Sequence, residues 1–64
     1  MYFDEIRWEI TWCYKDYTPD YAYAFINGVL YASRMNEKIT NEQSEELSKM
    51  NQQKFNSKIN QSLS

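Results

Sequence analysis

The run from Tyr21 to Ser33 constrains the fold of this chain most, because it is the most apolar stretch and holds Asn27-Gly28 at its middle. A type I′ turn needs positive φ at both central residues, and Asn and Gly tolerate that conformation. Aromatic and β-branched residues, which are enriched in strands, flank the pair. The pattern therefore predicts a two-residue β-hairpin with strands at about 21–26 and 29–35.

The alternative is a helix capped by Thr18 that has Pro19 at its first position and runs from Asp20 to Met35. Proline is common at that position. Gly28 would then lie in the middle of the helix, at a cost of about 1 kcal/mol relative to alanine. The hairpin is preferred on this ground and on the density of aromatic and β-branched residues.

Residues 2–14 alternate between apolar and polar side chains, as a half-buried strand does. One side of the extended chain would carry Ile6, Trp8, Ile10, Trp12 and Tyr14. The two tryptophans would each bury on the order of 200 Å² and contribute most to the core. We therefore expect a first strand at about 3–14.

Thr40 is predicted to cap the start of a helix, because a threonine followed three residues later by a glutamine, here Gln43, is the signature of a capping box. The helix is expected over about 41–56. The tail at 57–64 is rich in Asn, Gln and Ser and is expected to fray or to become ordered only against a partner.

These elements predict one small α+β domain over residues 1–64, a three-stranded antiparallel β-meander followed by one C-terminal α-helix packed on one face. The predicted interior holds Ile6, Trp8, Ile10, Trp12, Ala22, Ala24, Ile26, Val29, Tyr31, Leu47 and Met50. Both faces of the hairpin are apolar, yet one helix covers only one of them. An exposed apolar patch remains whichever face the helix covers.

The composition excludes several kinds of chemistry. The chain has no histidine, one cysteine and one glycine. A disulfide within the monomer, a Cys/His metal site, a Ser-His or Cys-His nucleophile and a glycine-rich phosphate loop therefore cannot form. We expect no enzyme activity, and we predict no catalytic, cofactor-binding or metal-binding residues.

The same features indicate where the protein works. A small secreted domain normally has several disulfides, which this chain cannot make. No stretch approaches the roughly 20 apolar residues of a membrane span. We expect a cytoplasmic protein without membrane contact. Its small size and composition would suit a phage or mobile-element product that acts in the host cell cytoplasm on a host or defence enzyme.

The uncovered apolar face predicts a protein-binding module, an inhibitor or adaptor that occupies a site on a larger protein. The predicted contact residues are Tyr21, Tyr23, Phe25, Leu30, Glu5, Arg7 and Glu9. One alternative is a structural homodimer whose sheets pair. A second is a binder of single-stranded nucleic acid, which stacks bases on aromatic rings. The net charge of −2 argues against this last function.

Overall fold

The computed structural model describes residues 1–63, and side chains for residues 1–61. Over these residues the chain folds into three α-helices: α1 (Phe3–Asp16), α2 (Pro19–Met35) and α3 (Asn41–Leu63). No β-strand occurs within residues 1–63. The predicted α+β class with its β-meander is therefore wrong, and the three predicted strands fall within α1 and α2.

Helix α1 forms because its apolar residues also fit the helical period. Ile6, Ile10 and Cys13 recur at helical spacing and are buried. Acidic residues occupy its first turn, where the helix dipole favours them. Trp8 and Trp12 lie on the outer side, 65% and 42% exposed. The strand prediction is wrong because Ile6, Ile10 and Tyr14 fit both the two-residue period of a strand and the period of a helix. Only the side on which Trp8 and Trp12 lie distinguishes the two structures.

Helix α2 corresponds to the alternative that the sequence offered. The Thr18 hydroxyl accepts a hydrogen bond from the backbone N–H of Tyr21 at 3.4 Å, and Pro19 is the first helical residue. Gly28 has no positive φ, so the predicted β-hairpin at Asn27-Gly28 is wrong. Burying Ile26 and Leu30 contributes about 1.5–3 kcal/mol each, which exceeds the cost of a helical glycine.

Glu37, the residue after the C-cap of α2, has a left-handed conformation, with φ of 58°. The N–H of Lys38 donates to the carbonyl of Ser33 at 2.9 Å, and the N–H of Glu37 donates to the carbonyl of Arg34 at 3.1 Å. These two bonds define a Schellman motif, which satisfies the last carbonyls of α2.

Helix α3 begins where the sequence predicted. The N–H of Thr40 donates to Gln43 Oε1 at 3.0 Å, and the N–H of Gln43 donates to Thr40 Oγ1 at 3.1 Å. The predicted capping box is confirmed. The helix continues to Leu63 rather than ending near residue 56. Ser64, the last residue of the predicted tail, lies outside the described residues.

Each helix packs against the other two. Tyr23, early in α2, contacts Phe55 late in α3, whereas Tyr31 lines a groove with Ser44 and Ser48 early in α3, so α2 and α3 run antiparallel. The shared core contains Ile6, Ile10, Cys13, Tyr14, Ala22, Ile26, Leu30, Ile39 and Leu47. Of the other residues predicted inside, Val29 and Met50 are half-buried, and Trp8, Trp12, Ala24 and Tyr31 are exposed.

Candidate functional site

Exposed aromatic and other large apolar side chains are concentrated on α1, α2 and the segments next to them. In the part of the chain whose side chains are described, these residues are Met1, Tyr2, Trp8, Trp12, Tyr17, Tyr21, Phe25, Tyr31 and Met35. All of them precede the connection to α3, and the outer side of α3 carries Asn, Gln, Ser, Lys and Glu instead. The molecule therefore has an aromatic side and a polar side.

Two exposed indoles define what we call the tryptophan surface of α1, formed by Trp8 and Trp12 with Met1 and the carboxylates of Asp4, Glu5 and Glu9. The ring centroids of the two tryptophans lie 5.6 Å apart, with the ring planes tilted by 58°. Met1, Asp4, Glu5, Trp8 and Glu9 line a shallow groove beside them. An apolar anchor point and several negative charges thus share one helix face.

The side chain of Lys15 places a cation on the tryptophan surface. The Lys15 ammonium lies 4.7 Å from the centroid of the Trp12 ring, in the geometry of a cation–π contact. The Trp8 ring has no such contact among the described residues. Carboxylates next to an open indole favour an approaching Arg or Lys and oppose phosphate.

A second exposed surface lies on α2 and on the residue just before its N-cap, and we call it the α2 face: Tyr17, Tyr21, Ala24, Phe25, Gly28, Tyr31, Ala32 and Met35. The rings of Tyr17 and Tyr21 are 4.9 Å apart, and Tyr21 stacks on Phe25 at 6.3 Å with an interplanar angle of 13°. No charged residue occurs from Tyr21 to Ser33. This face is therefore apolar over more than three helical turns.

The predicted contact residues on α2 divide between surface and interior. Tyr21 and Phe25 are exposed and stacked on each other. Tyr23 faces α3 instead: its ring lies 4.8 Å from that of Phe55, and its hydroxyl donates to Gln52 Oε1 at 3.0 Å. Leu30 is buried in the core.

The predicted contact residues on α1 lie at or near the tryptophan surface. Glu5 is exposed and accepts a hydrogen bond from the N–H of Tyr2 at 3.1 Å. Glu9 is half-buried at the edge of the groove. The Arg7 guanidinium lies 5.9 Å from the centroid of the Phe3 ring, on the side toward Met50. The seven predicted residues therefore do not share one face.

A polar network in the interior is centred on Asn51 of α3, which is fully buried. The Tyr14 hydroxyl donates to Asn51 Oδ1 at 2.7 Å. Asn51 Nδ2 donates to the carbonyl of Tyr23 at 3.3 Å and to Asn27 Oδ1 at 3.2 Å. One side chain thereby links all three helices.

The titratable groups beside this network are held in their neutral forms. Burial, with smaller effects from Cys13 and Tyr23, raises the pKa of Tyr14 to about 12. Burial, followed by the charges of Glu9 and Asp16, raises the pKa of the Cys13 thiol. Because the thiolate is the nucleophilic form of cysteine, Cys13 is a structural residue rather than a reactive one.

Within the described residues, no group of three or more Cys, Asp or Glu side chains is arranged to hold a metal ion. Among the described helices, none has the combination of length and apolar character that crossing a bilayer requires. No protein-family model, curated protein or solved structure matches the chain.

Sequence reasoning missed the tryptophan surface because it placed both indoles in the core. The signal that locates it is the helical period: Trp8 falls on the side of α1 opposite Ile6 and Ile10 once about 100° is assigned to each residue. Tyr31 was missed on α2 because it was also placed in the core, and Met35 because the predicted strand ended there.

Proposed function

We propose that this chain is a protein-binding module that acts by occupying a site on a larger protein, and that the tryptophan surface of α1 is its contact. The observation that carries the proposal is the exposure of Trp8, 65% of whose surface faces solvent beside a second indole. Tryptophan is the residue type most enriched among the energetically dominant residues of protein interfaces.

The surface is built on a rigid element. Trp8 and Trp12 lie one helical turn apart on α1, whose opposite side is fixed in the core by Ile6 and Ile10. The two rings contact each other. Binding therefore requires little ordering of the contact side chains, which lowers the entropic cost of association.

The charges indicate the chemistry of the partner. Asp4, Glu5 and Glu9 line the groove next to Trp8, so the surface fits an apolar side chain with Arg or Lys beside it. A guanidinium or ammonium placed over the open Trp8 ring would repeat the contact that Lys15 makes with Trp12. A basic segment of a larger protein meets both requirements.

The test is capture of partners from the source cells by the immobilised chain, followed by calorimetric titration of the captured protein. We expect Trp8→Ala to weaken binding by about tenfold or more, the loss typical of a dominant interface residue. Tyr31→Ala is the matched control, because Tyr31 is 61% exposed but lies on α2. It should change the affinity less than twofold, a change of about 0.4 kcal/mol.

Circular dichroism of both variants checks that the helices are retained. The proposal is overturned if no protein is retained by the wild-type chain, or if the retained protein binds Trp8→Ala as tightly as the wild type. Binding that Tyr31→Ala weakens as much as Trp8→Ala would likewise reject the tryptophan surface as the contact.

A further inference from the structure

Within the part of the chain that the structure describes, no helix packs over the α2 face, and only Tyr31 at its edge borders α3, in the groove with Ser44 and Ser48. At about 100° per residue, the residues of the α2 face from Tyr21 to Met35 fall within an arc of about 120° on the side of α2 opposite Ala22, Ile26 and Leu30, and the exposed Asn27 and Arg34 lie outside this arc. A helix that is apolar all round is normally buried on all sides. Here the α1 and α3 contacts cover only one side.

We propose that two copies of this chain form a homodimer in which their α2 faces pack antiparallel, with Gly28 at the two-fold axis. The interface is separate from the tryptophan surface, so this inference goes beyond the proposed function and does not depend on it. The occupant is a second copy because the face is complementary to itself in shape and in charge, as an isologous interface must be.

Gly28 is the first point of complementarity. A Cβ added at this position would meet nothing within 4 Å, so packing inside the protomer does not require glycine. Glycine nevertheless costs a helix about 1 kcal/mol relative to alanine. Close approach of a second backbone is a physical reason for its presence, since small residues allow helix axes to come together.

Large and small side chains alternate so that each finds its counterpart. In an antiparallel pair centred on Gly28, residues at similar distances on opposite sides of the centre come together when they lie on the same flank of the α2 face, as Phe25 and Ala32 do on one flank and Tyr31 and Ala24 on the other. Phe25 then falls against Ala32 of the second copy, and Tyr31 falls against Ala24. Tyr21 falls against Met35 at each end. The aromatic rings that project from one copy therefore pack into the spaces above the small residues of the other copy.

The charges at the edge of the face also match. Asp20 lies eight residues before Gly28, and Arg34 lies six residues after it, on the same flank. At about 1.5 Å per residue, these positions are about 12 Å and about 9 Å from the centre. Antiparallel pairing therefore brings Asp20 of each copy within side-chain reach of Arg34 of the other, at both ends of the interface.

The surface area that this interface would bury is typical of a reversible dimer. Tyr21, Phe25, Tyr31 and Met35 each expose between 40% and 64% of their surface. Covering them on both copies, with the small residues between them, removes on the order of 1,000 Å² from water, given about 150–250 Å² for a fully buried aromatic. That value lies at the lower end for specific interfaces, so we expect a dimer that dissociates at micromolar concentration.

Sedimentation equilibrium from micromolar to millimolar concentration tests the dimer, and Gly28→Ala is the decisive variant. We expect a reversible monomer–dimer equilibrium for the wild type. In Gly28→Ala, the added methyl group should raise the thermal midpoint of the monomer while it weakens dimerisation by about tenfold or more, because it overpacks the axis. A merely structural role of Gly28 would not produce these opposite effects.

Charge exchange gives a second readout. Asp20→Arg should weaken the dimer, and Asp20→Arg combined with Arg34→Asp should restore it. Trp8→Ala, on the other surface, should leave dimerisation unchanged. A wild-type chain that is monomeric at millimolar concentration, or a dimer that Gly28→Ala does not weaken, overturns the inference. Neither result affects the test of the tryptophan surface, which uses a different face and a different ligand.

Discussion

At the scale of single residues, Asn51 determines how the three helices meet. Its side chain is fully buried and bonds to Tyr14 of α1 and to Tyr23 and Asn27 of α2. No buried side-chain polar atom of the described residues lacks a hydrogen-bond partner. A buried polar group that is fully paired favours one helix register over others, since any shift would leave it unpaired.

We therefore predict that Asn51→Ala lowers the free energy of unfolding by about 2–4 kcal/mol, because it removes three hydrogen bonds and leaves the Tyr14 hydroxyl poorly paired in the core. Urea denaturation followed by circular dichroism measures this loss. The control is Gln53→Ala, an exposed position two residues further along α3, which should change stability by about 0.5 kcal/mol or less. Equal effects of the two variants would contradict the role given to Asn51.

At the scale of the elements, the connection between α2 and α3 depends on a left-handed residue that is not glycine. Glu37 has a φ of 58° and closes the Schellman motif of α2. The left-handed region costs a residue with a Cβ roughly 1–2 kcal/mol, and glycine adopts it without that penalty. Glutamate at this position is a local weakness of the fold.

Glu37→Gly should therefore raise the free energy of unfolding, by about 0.5–1 kcal/mol once the greater freedom of glycine in the unfolded chain is counted. Glu46→Gly is the same chemical change at an exposed position inside α3 and should lower stability by about 1 kcal/mol. The two variants are compared by thermal and urea unfolding. Changes of the same sign in both would show that Glu37 bears no conformational strain.

The elements also show what the sequence can predict. The start of α3 was predictable because Thr40 and Gln43 form a local, directional signal that no other structure satisfies as well. The cap of α2 at Thr18 and Pro19 is an equally local signal, but the Asn27-Gly28 pair favoured a hairpin more strongly than the cap favoured a helix. That choice failed because a glycine penalty of about 1 kcal/mol is smaller than the gain from packing Ile26 and Leu30.

Helix α1 was not predictable from its own residues. Ile6, Ile10 and Tyr14 fit a strand and a helix equally well, and the decision depended on whether Trp8 and Trp12 face inward. Placing large apolar residues inside is the usual rule. It fails here because the helical period turns Trp8 and Trp12 to the side of α1 away from the core, and the buried residues alone do not decide between the two periods.

At the scale of the whole molecule, the fold separates an aromatic side from a polar side. Helix α3 closes one side of the α1–α2 pair and covers Ile6, Ile26 and Leu30. The opposite side carries the exposed rings of both helices, with carboxylates around the tryptophans and no charge on the central part of α2. We propose that the two surfaces bind different molecules, a basic segment on α1 and a second copy on α2.

Tryptophan fluorescence with acrylamide quenching tests the central claim most directly, because Trp8 and Trp12 are the two tryptophans of the chain and both lie on α1. In the dilute free protein, whose helices circular dichroism confirms, the emission should be that of solvent-exposed indoles, and acrylamide should quench it readily, Trp8 more than the less exposed Trp12. The captured partner should then protect them. Blue-shifted emission that acrylamide hardly quenches in the free monomer would place the tryptophans inside the core and contradict the account.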